Sequence, residues 1–170
     1  MASLIEELIT VLEEEDKIYK ELVELANQKT PVIVKGDLEG LRVITAREQE
    51  YIGGLNRLER RRIDVVKDIA LVLNQKEEDL TVKTVISLLD GQDKEQRKLS
   101  EVHDSLKQTL SNISTLNDMN KNLITSALEM AEFNINLIKS MYQAPELGNY
   151  GKDAYNTESS LNYGVFDAKN

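Results

Sequence analysis

One apolar stripe constrains this chain more than any other feature, because a repeat of its length has to be covered along a second helix. It runs from Leu99 to Met141. Read as heptads, position a holds Leu99, Leu106, Ile113, Asn120, Ala127, Asn134 and Met141, and position d holds Val102, Thr109, Leu116, Leu123, Met130 and Leu137. Leu110, Ile124, Ala131 and Ile138 widen the stripe at e. Such a pattern is satisfied only by helix-on-helix packing. The opposite face is nearly uncharged: between Gln108 and Ser126 the ionisable residues are Asp118 and Lys121 alone. A coiled-coil back in water is normally laced with Glu and Lys, so this one reads as a face to be covered.

Composition narrows the function classes. The 170 residues suit one domain, and 41% apolar residues exclude wholesale disorder, yet two Phe, six Tyr and no Trp argue against a thick globular core. The absence of Cys removes disulfides, thiolate catalysis and Cys-based zinc sites, and fits a cytoplasmic protein. No secretory signal is visible at the N-terminus, and no window approaches a membrane span, so stable membrane insertion is not expected. A net charge of −9 speaks against nucleic-acid binding, which needs clustered Lys and Arg. The expected partner is another protein.

Local signals place four helices. The first is predicted over about 4–29, where Ser3 with Glu6 makes a capping-box pattern and Leu4, Leu8, Val11, Glu15, Ile18, Leu22 and Leu25 form the inward stripe. Pro31 lacks an amide hydrogen and crowds the preceding turn, so the helix should end or kink near Thr30, with Thr30-Pro31 able to start one more turn. Gly36-Asp37 reads as a turn, glycine for a left-handed cap and aspartate to cap the second helix. The second helix is predicted over about 38–74, with Glu48 and Arg62 among its inward residues, and Gly53 and Gly54 admit a close neighbour or a bend. Val82, Val85, Ile86 and Leu89 predict a short helix over 82–89 capped by Thr81, and the last helix should run over about 93–142.

At ~1.5 Å per residue these helices span ~40, ~55 and ~75 Å for the first, second and last. The first two should form an antiparallel hairpin through Gly36-Asp37, and the last should outreach both by at least ~20 Å. The expected fold is therefore all-α: an elongated hairpin and coiled-coil bundle over 1–142 with a long C-terminal helix. Residues 143–170, rich in Gly, Asn and Ser and carrying Tyr150, Tyr155, Tyr163 and Phe166, read as a tail that is mobile or docks on something.

Chemistry-bearing residues are few. His103, followed by Asp104, invites comparison with phosphotransfer bundles, but the Lys and Gly spacing of those proteins is absent and a position beside the stripe suits an ordinary amphipathic side chain. Glu13–Asp16 and Glu77–Asp79 offer no convergent cage for a cation and read as solvated charge. The paired Glu-x-x-His motifs of di-iron bundles are missing, so neither a metal, a cofactor nor a catalytic residue is expected. Arg60-Arg61-Arg62 would either dock an acidic partner or pair along its own helix. Arg62 and Glu48 fall inward, and a pairing of either with a core polar group such as Glu15 would set register. Asn120 and Asn134 would present amides to a partner helix, or simply face water.

Lys35-Gly36-Asp37-Leu38-Glu39-Gly40-Leu41, then Glu48, then Leu55, Leu58, Glu59 and Arg61, resembles the hallmark stretch of the FlgN-type flagellar export chaperones. A Leu-x-x-Leu-x-x-Glu leading helix, a long final helix and a tail ending Phe166-Asp167-Ala168-Lys169 extend the likeness over essentially the whole chain. The resemblance implies a cytoplasmic, non-enzymatic chaperone that holds C-terminal helical segments of hook–filament junction proteins before type III export, and that also meets the flagellar export apparatus. The family binds clients largely through its C-terminal region, which here is roughly Ile113–Tyr142. The expected client-binding residues are Ile113, Leu116, Asn120, Leu123, Ile124, Ala127, Met130, Asn134, Leu137, Ile138 and Met141. The rival reading is a structural coiled-coil protein that self-associates through the same stripe, as a homodimer or filament subunit.

Overall fold

Helical periodicity and a few capping side chains organise the chain into four helices, which a computed structural model describes over residues 2–76, 78, 80–89 and 91–143. They are α1 (Ala2–Lys35), α2 (Leu38–Leu73), α3 (Val82–Leu88) and α4 (Asp93–Tyr142). No strand occurs among the described residues. The expected tail beyond Gln143 lies outside them, as do Glu77 and Asp79 of the second acidic run.

The turn between α1 and α2 is built as its residues dictate. Gly36 sits at φ 67°, which a side chain would strain, and the Gly40 amide donates to Asp37 Oδ1 at 2.9 Å. Asn74, at φ 53°, closes α2, and Thr81 caps α3 by accepting from the Thr84 amide at 3.1 Å. Gly54 faces α1, where an added Cβ would meet Ile18 Cδ1 at 3.3 Å, so close helix approach is the use of this glycine.

Two expectations about α1 are corrected. Ser3 is inside the first turn rather than capping it, because the face of Ile5 and Leu8, fully buried against the core, holds the chain helical from Ala2. The helix also runs through Pro31 to Lys35, six residues past the expected end. Proline removes the intrahelical donor that would have met the Asn27 carbonyl, but packing holds the helix on either side of it. Asn120 Nδ2 from α4 donates to the Ala26 carbonyl in the turn ahead of Pro31 at 2.8 Å, and Ile33 just beyond it is buried.

Helix α1 lies between the other two long helices. α2 returns antiparallel along one side, matching Glu7 to Arg61, Glu15 to Arg62 and Lys29 to Glu48. α4 runs parallel to α1 on the other side, matching Glu13 to Lys98, Asp16 to Ser105 and Thr30 to Asn120. At the end where α1 begins, Leu80, Val85 and Leu89 close the core over Ile5, Leu8, Leu12, Ile69 and Leu99. At the other end, Leu22, Leu25 and Ala26 of α1 meet Ile44 of α2 and Ile113 of α4. α4 starts beside the beginning of α1 and is longer by sixteen residues, 50 against 34, so it passes the α1–α2 turn and continues alone.

Candidate functional site: the overhang of α4

The register of α4 on α1 decides where its stripe stops being core, and polar residues set that register. Asp16, buried on α1, accepts from Ser105 Oγ at 2.8 Å and Thr109 Oγ1 at 2.7 Å and pairs with Lys20 at 2.7 Å. Burial pushes the Asp16 carboxyl up, but the hydrogen bonds from Lys20, Thr109 and Ser105 and the Lys20 charge hold it below the usual aspartate value. Further along, the Thr30 hydroxyl donates to Asn120 Oδ1 at 2.8 Å, and Asn120 is only 3% exposed. Asn120 thus neither faces water nor, in this chain alone, offers free amide groups.

Helix α2 is pinned by ions. Arg62 Nε stands 3.2 Å from the buried Glu15 carboxylate, and Lys29 pairs with Glu48 in a half-buried contact, so both inward polar residues of the α2 stripe find cations or anions on α1. Burial raises the Glu15 carboxyl above its usual value, Arg62 opposing and Glu59 adding to the rise. Arg61 reaches Glu7 at 3.1 Å. Within the acidic run Glu13–Asp16, expected as solvated charge, Glu15 is buried as its place in the inward stripe implied, and Asp16 is the correction: it is buried too, because a helix flanked on two sides turns part of any four-residue run inward. Each acid of the run has a basic partner, from Lys98, Arg61, Arg62 and Lys20 in order. His103 Nδ1 faces Asp104 at 3.2 Å.

The candidate client residues separate into three groups along α4. Ile113 and Asn120 are buried, and Leu116, Leu123 and Ile124 are half-buried, so core packing extends into the first part of the Ile113–Tyr142 stretch. Beyond them every residue from Thr125 to Gln143 is exposed, including Ala127, Met130, Asn134, Leu137, Ile138 and Met141. This segment overhangs the hairpin by roughly 25 Å at 1.5 Å per residue. Sequence reasoning missed four large apolar residues on it: Leu128, Phe133, Ile135 and Tyr142, all exposed. They lie off the a, d and e columns, and only a full wheel of the overhang, counted without a presumed seam, would have found them.

Where the overhang leaves the bundle an open groove of about 420 Å³ lies between α1, α2 and α4, with Leu22, Ile52, Ile113 and Ile124 as apolar lining and Lys29, Glu48, Asn117 and Lys121 among its polar residues. Among the described residues no group of His, Cys, Asp or Glu is arranged to hold a metal ion, and no helix is long and apolar enough to cross a membrane.

Three long helices packed along one another, the last running on past the other two with its apolar side chains exposed, define an all-α helical protein with an uncovered helical surface. The FlgN protein family model matches residues 1–158, and the chain belongs to that family. This is a family of chaperones for flagellar assembly and export, not known as enzymes. Comparison with curated proteins and with solved structures found no match.

Proposed function

We propose that this chaperone holds C-terminal helical segments of hook–filament junction proteins on the α4 overhang, in the cytoplasm, and keeps them unpolymerised until the flagellar type III apparatus takes them. The observation that carries this reading is the unbroken exposure of Thr125–Gln143 together with its load of large apolar side chains. Monomers rarely leave such a surface in water. A client helix with an apolar ridge covers it by helix-in-groove packing, with Ala127, Met130, Asn134, Leu137, Ile138 and Met141 as contacts. Leu123 and Ile124 continue the surface into the groove. The buried Ile113 and Asn120 position the overhang from beneath, and Leu116 supports them.

Burying a large apolar side chain contributes ~1.5–3 kcal/mol. Four or five such anchors together supply roughly 6–15 kcal/mol, the same order as the association cost of ~4–15 kcal/mol, so a client has to engage most of this surface to bind. The flanks favour the same partner, since Ser126 and Asn134 strand no charge when covered.

The test is calorimetric titration of the chain with the C-terminal segment of a hook–filament junction protein, followed by gel filtration. Heat and co-elution are expected; neither appearing removes the reading. Light scattering over a range of concentrations addresses self-association through the same surface, and a dimer that persists with client present would favour the structural coiled coil instead.

A further inference from the structure

We infer that the overhang seats two helices of its client at once, an inference that rests on the client-binding reading above. Inside this protein the arc a helix buries follows its number of helical neighbours. At 100° per residue, the buried residues of α4, from Thr109 round to Leu99, fall within roughly 80°. Along most of that length α4 has α1 as its one long neighbour. Helix α1 has α2 on one side and α4 on the other, and its buried residues spread from Leu25 round to Ile9, roughly 200°.

Counted by apolar residues, α4 beside α1 spans roughly 180°, from Met119 round to Leu110, with those two left exposed, and the overhang is wider. Its exposed large apolar residues spread from Phe133 round to Leu128, an arc of roughly 220°. The charged residues of the segment, Glu129, Glu132 and Lys139, all fall on the arc that remains. One partner helix covers a stripe of about 100°, so a single helix leaves half of this surface in water. A second copy of the overhang supplies only one helix and leaves the same deficit.

Two seats are visible. Leu128, Ile135 and Tyr142 repeat every seven residues on the side that Ile124 presents to the groove. Met130, Phe133 and Leu137 line the other side. Ala127 and Ala131 lie between, on the line that α1 vacates where it ends at Lys35. The client is therefore a protein with two amphipathic helical segments, each long enough to match ~25 Å, or about 17 residues. Their buried ridges are aliphatic and uncharged, because the arc offers no counter-charge.

The chain contains no cysteine, so single thiols report cleanly. Leu128→Cys, Phe133→Cys and, at the middle of the polar arc, Asn136→Cys, each in the full chain, are alkylated with N-ethylmaleimide alone and with excess purified hook–filament junction protein, the complex being confirmed by co-elution. The expected result is slowing by about tenfold or more at both the Leu128 and Phe133 positions, with less than about a twofold change at Asn136. A co-eluting complex that protects only one of the two positions overturns the inference and leaves the client-binding reading intact. A complex that protects neither places the client elsewhere and overturns both. Protection already present without client, whether or not it depends on concentration, means that another copy or the chain itself covers the seats, and overturns the inference. Absence of any complex removes the client-binding reading and the inference with it.

Discussion

Asn120 donates its side-chain amide to the Ala26 carbonyl at 2.8 Å and accepts from the Thr30 hydroxyl, fastening the middle of α4 to α1 just ahead of Pro31. An asparagine in an otherwise apolar seam specifies register at some cost in stability. Truncation leaves two polar groups on α1 without their partner, so Asn120→Ala should destabilise the fold by about 1–3 kcal/mol. Urea unfolding followed by circular dichroism measures it, and the midpoint should fall with little change in slope. A neutral outcome would mean that Asn120 does not hold α4 in place.

Asp16 makes stability depend on acid. Its folded carboxyl lies below the ordinary value of 3.8, so its contribution is fully present above that value and is lost as pH falls through the folded one. Asp16→Asn should cost about 1.5–3 kcal/mol at pH 7, the range for hydrogen bonds to a charged group. The gap to the unaltered chain should narrow as pH falls below 3.8 and through the folded value, where both come to carry a neutral side chain. Unfolding midpoints at pH 7, 5 and 3 report this.

Glu15 has the opposite sign. Its folded carboxyl is raised above 4.5, so the native state gains from protonation as pH falls through the folded value, and at neutral pH Arg62 offsets an unfavourable buried charge. Arg62→Ala should cost about 1–2 kcal/mol at pH 7, discounted because Arg62 is 35% exposed. That deficit should narrow, not widen, as pH falls toward ~4.5, the ordinary value for a glutamate. Replacing both residues, Glu15→Leu with Arg62→Met, should recover most of the loss. A deficit that is flat with pH would show that Arg62 acts through packing of its stem alone.

The overhang and the seam beneath it should respond in opposite ways. Met130→Asp with Leu137→Asp, both on exposed positions, should leave thermal stability within about 0.5 kcal/mol. The same pair should weaken client binding by at least about tenfold, equal to ~1.4 kcal/mol. Ile113→Ala, in the distal core, should instead cost about 2–4 kcal/mol of folding stability. Differential scanning fluorimetry and titration on the same samples separate the two effects.

Much of the fold was legible because its signals are short-range. Gly36-Asp37 and Thr81 act on their own neighbours, and the starts of α2, α3 and α4 stand where those residues and the stripe place them. Arg62 and Glu48 could be read as inward register residues from their heptad positions alone. Pro31 could not be read correctly, because the contacts that hold the helix against the bundle around it, the Thr30–Asn120 hydrogen bond and the burial of Ile33, come from other helices. Asp16 looked solvated for a related reason: charge suggests water until a second helix brings Ser105 and Thr109 against it.

Local pattern was enough to set the number of helices, the long reach of the last one and the existence of an apolar surface greater than the hairpin can cover. It took the packed bundle to establish that α4 runs parallel to α1, that their shared seam lasts to Asn120, and that Leu128, Phe133, Ile135 and Tyr142 widen the bare surface beyond it. Periodicity records which face of a helix is apolar. Whether that face is spent on the chain's own core or left for another protein depends on where the neighbouring helices end, and that is a property of the assembled bundle.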